Sequence, residues 1–266
     1  MNRSGALALV DRATEVVGRL GPWVGVLWIT ALPTRFLLVL LYVELVELGA
    51  KASRYGLHLR HLAYGILATW LLSLWGRQVF VRACRHALES ERPPPRTIAR
   101  VPLGELAAHV SAALVIEFAF WALLLTLVAP VALLVGAGLA AAAAPRAGPG
   151  LWKPLRAIAE SSGSLSTLTR LLAIFAVALP FAALNLHGLL RMGLWLAGGL
   201  AGVESSRWDA VLSLANPLYR ALVAAGAGLL LEPFWLAALT AHVERARATS
   251  SGDDLRRWFA ELRARA

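Results

Sequence analysis

The chain has a single cysteine, Cys84, among its 266 residues. One thiol cannot form an internal disulfide or supply a cysteine-based zinc site. Lysine is almost as scarce, because only Lys51 and Lys153 occur among the 26 basic residues. The sequence lacks a glycine-rich phosphate loop, a His-Glu-x-x-His helix and a Gly-x-Ser-x-Gly elbow. His58 and His61 offer two metal ligands on one helix face, but a site needs a third. We therefore predict no metal and no cofactor.

Apolar residues are abundant and place the chain in the membrane class. The sequence is 58% hydrophobic with a mean hydropathy of +0.64, whereas soluble domains are roughly 45–50% apolar. The net charge of +10 comes from 26 basic and 16 acidic residues. In a membrane protein such an excess reflects mainly cytoplasmic loops. We predict an all-α, polytopic transmembrane bundle that is partnered by the lipid bilayer and not by nucleic acid.

We predict six membrane-spanning helices from the apolar stretches of the chain, since a crossing takes ~20 residues. The block 103–144 would be ~60 Å long as one helix, about twice the hydrocarbon thickness. We interpret it as two spans with an apolar turn near Val128–Pro130, and a single long kinked helix is the alternative. The predicted spans are 23–48, 57–82, 103–128, 129–144, 165–197 and 211–243.

Both ends of the chain have amphipathic patterns, at 5–20 and 253–265. In each, apolar residues recur at helical spacing while charged residues occupy the other face. This pattern predicts helices that lie at the membrane interface, within a single integral membrane domain spanning 1–266. The apolar residues are Leu7, Val10, Val17 and Leu20 in the first segment, and Leu255, Phe259 and Leu262 in the second.

Arginine-rich segments give the orientation. The segments 77–100 and 245–266 contain six arginines each, and arginine near span ends marks the cytoplasmic side. Six spans place both segments and both termini on that side, whereas five would place the basic C-terminal tail outside. The sequence therefore predicts a multi-pass plasma (inner) membrane protein with both termini cytoplasmic.

Four stretches carry a resemblance to a known group of proteins. The most specific is the last, in which an acid-Pro-Phe-Trp helix leads into a Ser-Gly-Asp-Asp-Leu-Arg tail. Together they resemble poorly characterised bacterial six-span membrane proteins related to the membrane domain attached to some glycerophosphodiester phosphodiesterases. The resemblance implies a bacterial envelope protein without a known active site, and it transfers no catalytic residues. The stretches are PWVGVLWITALPTRFLLVLLY, LLSLWGRQVFVRACRHALE, PLRAIAESSGSLSTLTRLLAIF and LEPFWLAALTAHVERARATSSGDDLRRWFAELRA.

A few polar residues fall well inside the predicted spans, and they form the candidate site. An unpaired charge at that depth costs several kcal/mol, so these groups should face one another. Arg35 is therefore predicted to contact Glu117 or Glu232. The cluster is either a proton relay or polar pocket, or an ion pair that fixes which helices adjoin. Its members are Arg35, Glu117, Asn185, His187 and Glu232.

The sequence favours a non-enzymatic subunit or scaffold that works with other envelope membrane proteins. One alternative is a small transporter or proton-coupled carrier that uses the mid-membrane Arg/Glu site, which an inverted internal repeat would favour. Another is an intramembrane lipid-modifying enzyme, which a cluster of acid, base and nucleophile at the interface would favour. Neither feature is evident in the sequence.

Overall fold

The structure is a computed structural model that describes residues 5–48, 56–89, 94–122, 135–143, 165–201 and 206–252. Every regular element in these residues is a helix. The all-α prediction is therefore confirmed. The helices are α1 (Ala6–Arg19), α2 (Gly21–Leu48), α3 (Gly56–Leu88), α4 (Pro95–Ala99), α5 (Leu103–Ala122), α6 (135–143), α7 (Leu165–Ala201), α8 (Ser206–Val211) and α9 (Pro217–Ser251).

Three helices within the described residues are long and apolar enough to cross a membrane. They are the Gly21–Glu44 part of α2, Ser166–Leu200 of α7 and Pro217–Thr249 of α9. The predicted span 57–82 lies within α3, a continuous helix of 33 residues that also carries Arg60 and Arg77. The crossings of α3 and of 103–144 stay predictions, because the turn expected near 128–130 lies outside the described residues.

The last predicted span begins at residue 211, whereas helix α9 begins at Pro217. Asn216 Oδ1 accepts a hydrogen bond from the Leu218 amide at 3.0 Å, as an N-cap residue does. Pro217 follows at the first helical position, where its missing N–H costs nothing. At the other end Gly252 has a φ of 70°, a left-handed conformation that ends helices and favours glycine.

A helix covers most of the predicted N-terminal segment, and its predicted apolar face is buried in part, at Val17 and Leu20. Leu7 is 70% exposed, whereas Leu9, Ala13 and Val16 are buried. Ala13 continues the buried stripe between Leu9 and Val16, and small residues of this kind carry little weight in a hydropathy pattern. Charged Glu15 and Arg19 form an exposed ion pair on the other side. The interfacial position of α1 stays a prediction, and the 253–265 helix lies outside the described residues.

The chain divides into two compact units that share its long helices. Unit 1 comprises Met1–Gly25, Leu74–Ala173 and Pro233–Ala266, and unit 2 comprises Val26–Ser73 and Ile174–Glu232. Unit 1 has a core in which Leu139, Leu168, Leu239 and Val243 pack together with Trp235. Gly138 is required there, because a Cβ atom at this position would collide with the Leu239 side chain.

Unit 2 has a smaller buried core and a largely apolar exterior. Leu27, Ala31 and Ala227 are buried on α2 and α9. Only 11% of the most apolar stretch of α7 is buried. Exposed large apolar side chains occur on each of its helices, α2, α3, α7, α8 and α9. Such a surface is unfavourable in water, and it is typical of helices that face lipid.

Candidate functional site

Helix α2 presents two polar side chains to α9 within unit 2. Trp28 and Arg35 are seven residues apart, which is about two helical turns, so they lie on the same face. Leu27 and Ala31 are buried on that face. Because both polar groups project from an apolar helix, their hydrogen-bond partners must come from the neighbouring helix.

Arg35 binds α9 through both terminal nitrogens. Its Nη2 donates to Glu232 Oε2 at 2.5 Å, and its Nη1 donates to the Ala225 carbonyl at 3.0 Å. The two side chains of the ion pair are 24% and 6% exposed, respectively. The Arg35 guanidinium is therefore held by a carboxylate and a backbone carbonyl dipole. The structure thus pairs Arg35 with one of the two partners expected for it.

The absence of a side chain at Gly228 allows the Arg35 guanidinium to lie against α9. A Cβ atom at this position would lie 2.8 Å from Arg35 Nη1. That separation is shorter than ordinary van der Waals contact, so any side chain would displace the guanidinium. The glycine therefore allows Arg35 to reach the Ala225 carbonyl, which lies one helical turn away from Gly228.

Trp28 completes the hydrogen bonding of α9 at its internal proline. Pro233 has no N–H and cannot donate to the carbonyl four residues earlier, that of Leu229. The Trp28 indole Nε1 donates to this carbonyl at 2.9 Å. A carbonyl without a donor is costly in hydrocarbon, so the indole replaces the bond that proline removes.

The other predicted site residues lie in different surroundings. His187 Nδ1 is 2.8 Å from Tyr219 Oη, which links α7 to α9 within unit 2. Asn185 is exposed on α7 and its amide donates to the Phe181 carbonyl of the same helix. Glu117 is half-buried on α5 and belongs to unit 1. That all five residues act as one functional cluster stays a prediction.

A second set of charge pairs, in unit 1, was not foreseen. Arg82 Nη1 contacts both oxygens of Glu105, at 3.0 and 2.8 Å, and its Nη2 donates to the Thr97 carbonyl at 3.3 Å. Arg85 Nε lies 3.1 Å from Glu244 Oε1. These contacts join α3 to α5 and α9. In the sequence, the arginines of 77–100 indicate only the orientation, whereas Arg82 and Arg85 lie within α3, which continues to Leu88.

Buried polar groups accompany these pairs. Gln78 is fully buried, and its amide donates to the Ala141 carbonyl at 3.0 Å. His109 is almost fully buried on α5. Within the described residues, Gln78 Oε1 and His109 Nδ1 have no hydrogen-bond partner. In the same residues, no group of three or more His, Cys, Asp or Glu side chains could hold a metal ion.

Comparison with protein-family models, curated proteins and solved structures finds no match to this chain.

Proposed function

We propose that this chain is a multi-pass protein of the bacterial plasma membrane that acts as a non-enzymatic subunit or scaffold of an envelope assembly. In this proposal it has six crossings with both termini in the cytoplasm. The observation that carries it is the construction of unit 2, where the polar side chains of α2 bond to α9 while large apolar side chains face outward.

The contacts of α2 support a structural role over a transport path. Arg35 and Trp28 donate to backbone carbonyls of α9, and Arg35 also binds Glu232. Groups engaged in this way fix which helices adjoin. A conducting path needs polar groups along its whole length, whereas these contacts span about two turns of one helix.

The orientation rests on the arginine-rich segments and on the resemblance to six-span envelope proteins. A cysteine introduced at Ala266 tests it in intact cells. The native thiol does not interfere, because Cys84 is buried and burial raises its pKa, which keeps it protonated and unreactive. A membrane-impermeant maleimide should label Ala266→Cys only after the cells are opened. Labelling from outside would contradict the six-span topology.

The scaffold role is tested by stoichiometric copurification from native membranes after mild detergent extraction. A scaffold should retain a second envelope protein at a fixed ratio. Glu232→Gln disturbs the helix packing of unit 2 and should reduce that retention. The matched control is Asp209→Asn, which removes an exposed ion pair with Arg191 and should leave retention unchanged. Purification without any second protein would contradict the scaffold role.

A further inference from the structure

Helix α7 carries a regular exposed stripe after its internal proline, Pro180. Its six positions follow one another at intervals of four and three residues, the repeat that keeps side chains on one helix face for a partner helix. Phe181 and Trp195 on this stripe are 63% and 74% exposed. At Gly188 and Gly199 a Cβ atom would meet nothing within 4 Å. The stripe consists of Phe181, Asn185, Gly188, Met192, Trp195 and Gly199, all exposed.

Asn185 is the polar member of this stripe and lies within the apolar part of α7. The helix has no charged residue from 171 to 190, between Arg170 and Arg191, a length of about 30 Å that matches the hydrocarbon layer. Asn185 is six residues from Arg191, or about 9 Å along the axis. It therefore falls inside the hydrocarbon.

The Asn185 amide is only partly satisfied. One hydrogen of Nδ2 is donated to the Phe181 carbonyl at 2.9 Å. Within the described residues, Asn185 Oδ1 and the other Nδ2 hydrogen have no partner. Lipid chains cannot supply one, and an amide without hydrogen bonds in an apolar medium is costly. The Asn185 amide therefore needs a polar group from another transmembrane helix as its hydrogen-bond partner.

We propose that this stripe pairs α7 with α7 of a second copy of the chain, in a parallel dimer. The amide carries a partial positive charge on its NH₂ group and a partial negative charge on its oxygen, so it is complementary in charge to a copy of itself. Two copies inserted with the same topology are parallel, and a twofold axis along the membrane normal brings Asn185 opposite the partner's Asn185. A single asparagine on such a stripe fixes the register of paired helices.

The neighbouring residues are compatible with this pairing. Gly188 lets the two helix backbones approach closely beside the amides, as small residues do at transmembrane interfaces. Phe181 and Trp195 then pack between the two helices, before and after the paired Asn185 amides. The nearest charge along α7, Arg191, is paired within its own copy with Asp209, whose Oδ1 lies 2.6 Å from Arg191 Nη1. Repulsion between the two copies is reduced accordingly.

Disulfide cross-linking in native membranes tests the contact. Met192→Cys lies on the stripe one residue beyond Arg191, where an oxidant has access. Leu190→Cys is the matched control, because it is exposed but lies nine residues after Phe181, about 180° around the helix. We expect a cross-linked dimer for Met192→Cys and not for Leu190→Cys. Equal cross-linking of both, or cross-linking of Leu190→Cys alone, would overturn the proposed face.

The contribution of the amide is measured as the dimerisation constant in liposomes, by energy transfer between labelled copies. Asn185→Leu should weaken dimerisation roughly tenfold, the range of one interhelical hydrogen bond. Asn185→Gln keeps both donor and acceptor and should restore most of it. If the wild-type chain stays monomeric, lipid covers the α7 stripe and the proposed dimer is wrong. A dimer that is insensitive to Asn185→Leu would also overturn it.

The dimer rests on the membrane location in the proposed function, since only hydrocarbon makes the exposed amide costly. Resistance of the chain to alkaline carbonate extraction tests that location separately. If carbonate extracts the chain, the proposed membrane location itself is wrong. If the chain resists extraction but does not dimerise, only the inference about α7 is wrong.

Discussion

In unit 1 the large apolar side chains lie mostly inside, whereas in unit 2 they lie mostly outside. Among the described residues, Leu7, Leu103 and Leu114 are the exposed large apolar side chains of unit 1, while unit 2 has them on all of its helices. A surface of the second kind is compatible with lipid and not with water. Burial thus distinguishes the two units.

Three partly buried ion pairs differ between the units at their carboxylates and not at their arginines, since Arg35 is 24% exposed and Arg82 15%. Unit 1 pairs Arg82 with Glu105 and Arg85 with Glu244 at partly exposed positions. In unit 2 the Arg35–Glu232 pair has its carboxylate almost completely buried. A charge pair surrounded by apolar helices depends fully on its partner, whereas a pair near water is partly screened. The cost of breaking each pair therefore reports the surroundings of its unit.

The largest effect is expected at Arg35 and Glu232. Glu232→Gln leaves the Arg35 guanidinium without its carboxylate, and an uncompensated buried charge costs about 3–5 kcal/mol. Adding Arg35→Leu removes the stranded charge, so the double variant should unfold at a higher temperature than Glu232→Gln alone. The measurement is thermal unfolding in detergent micelles.

Asp209→Asn is the control for this prediction. It breaks the Arg191–Asp209 pair, whose side chains are both exposed, and exposed pairs contribute about 0–1 kcal/mol. If the double variant recovers no stability, or if Asp209→Asn costs as much as Glu232→Gln, then the surroundings of the Arg35–Glu232 pair are not apolar and the contrast between the units is wrong.

A charge placed on the outer surface tests the contrast directly. Leu184 on α7 is exposed in unit 2, and Leu7 on α1 is exposed in unit 1. Leu184→Lys should cost about 2.5–3.5 kcal/mol if the position faces lipid near mid-span. Leu7→Lys should change stability by no more than about 0.5 kcal/mol. Thermal unfolding in lipid nanodiscs measures both, and equal costs would show that the two surfaces face the same medium.

In unit 1 the corresponding prediction concerns Glu105. Glu105→Gln removes the carboxylate that holds Arg82 by two contacts, and bonds to a charged group are worth about 1.5–3 kcal/mol. The loss should be smaller than for Glu232→Gln, because the Glu105 side chain is 17% exposed and that of Glu232 only 6%, so water screens the Arg82–Glu105 pair more. Thermal unfolding of the two variants side by side gives the order, and a reversed order would contradict it.

Much of the helical framework could be predicted from the sequence. The long apolar runs of α2 and α7 predict helices whose bounds agree with the structure within a few residues, since uninterrupted apolar runs of this length favour helix. The start of α9 was missed because the apolar run extends to residue 211, and an Asn-Pro helix start weighs little against it. Of the apolar face predicted for α1, Val17 and Leu20 are buried but Leu7 is exposed, because packing and not hydropathy alone selects the buried stripe.

The candidate site was only partly predictable. Depth alone suggested a carboxylate for Arg35, but the choice of Glu232 depends on Gly228 and on how α2 packs against α9. The Arg82–Glu105 pair was not predicted, because arginines near span ends indicate only the cytoplasmic side and tertiary contacts are needed to identify a partner. Pairing between distant positions leaves no periodic signal in one sequence.

The smallest effect concerns Trp28, the other polar side chain that α2 presents to α9. Trp28→Phe keeps the aromatic packing but removes the indole N–H bonded to the Leu229 carbonyl. The loss should be about 1 kcal/mol, typical of interhelical hydrogen bonds in membranes. Trp208→Phe, an exposed indole on α8, gives the cost of the ring change alone.

Replacing Pro233 tests the hydrogen bond between Trp28 and the Leu229 carbonyl more directly. Pro233→Ala supplies an N–H that can donate to the Leu229 carbonyl within α9. In that background Trp28→Phe should cost clearly less than in the natural chain, because the carbonyl keeps a donor. A double-mutant cycle on thermal unfolding measures the coupling. Equal costs in the two backgrounds would mean that the indole does not replace the missing proline bond, and that Trp28 holds α2 against α9 by packing alone.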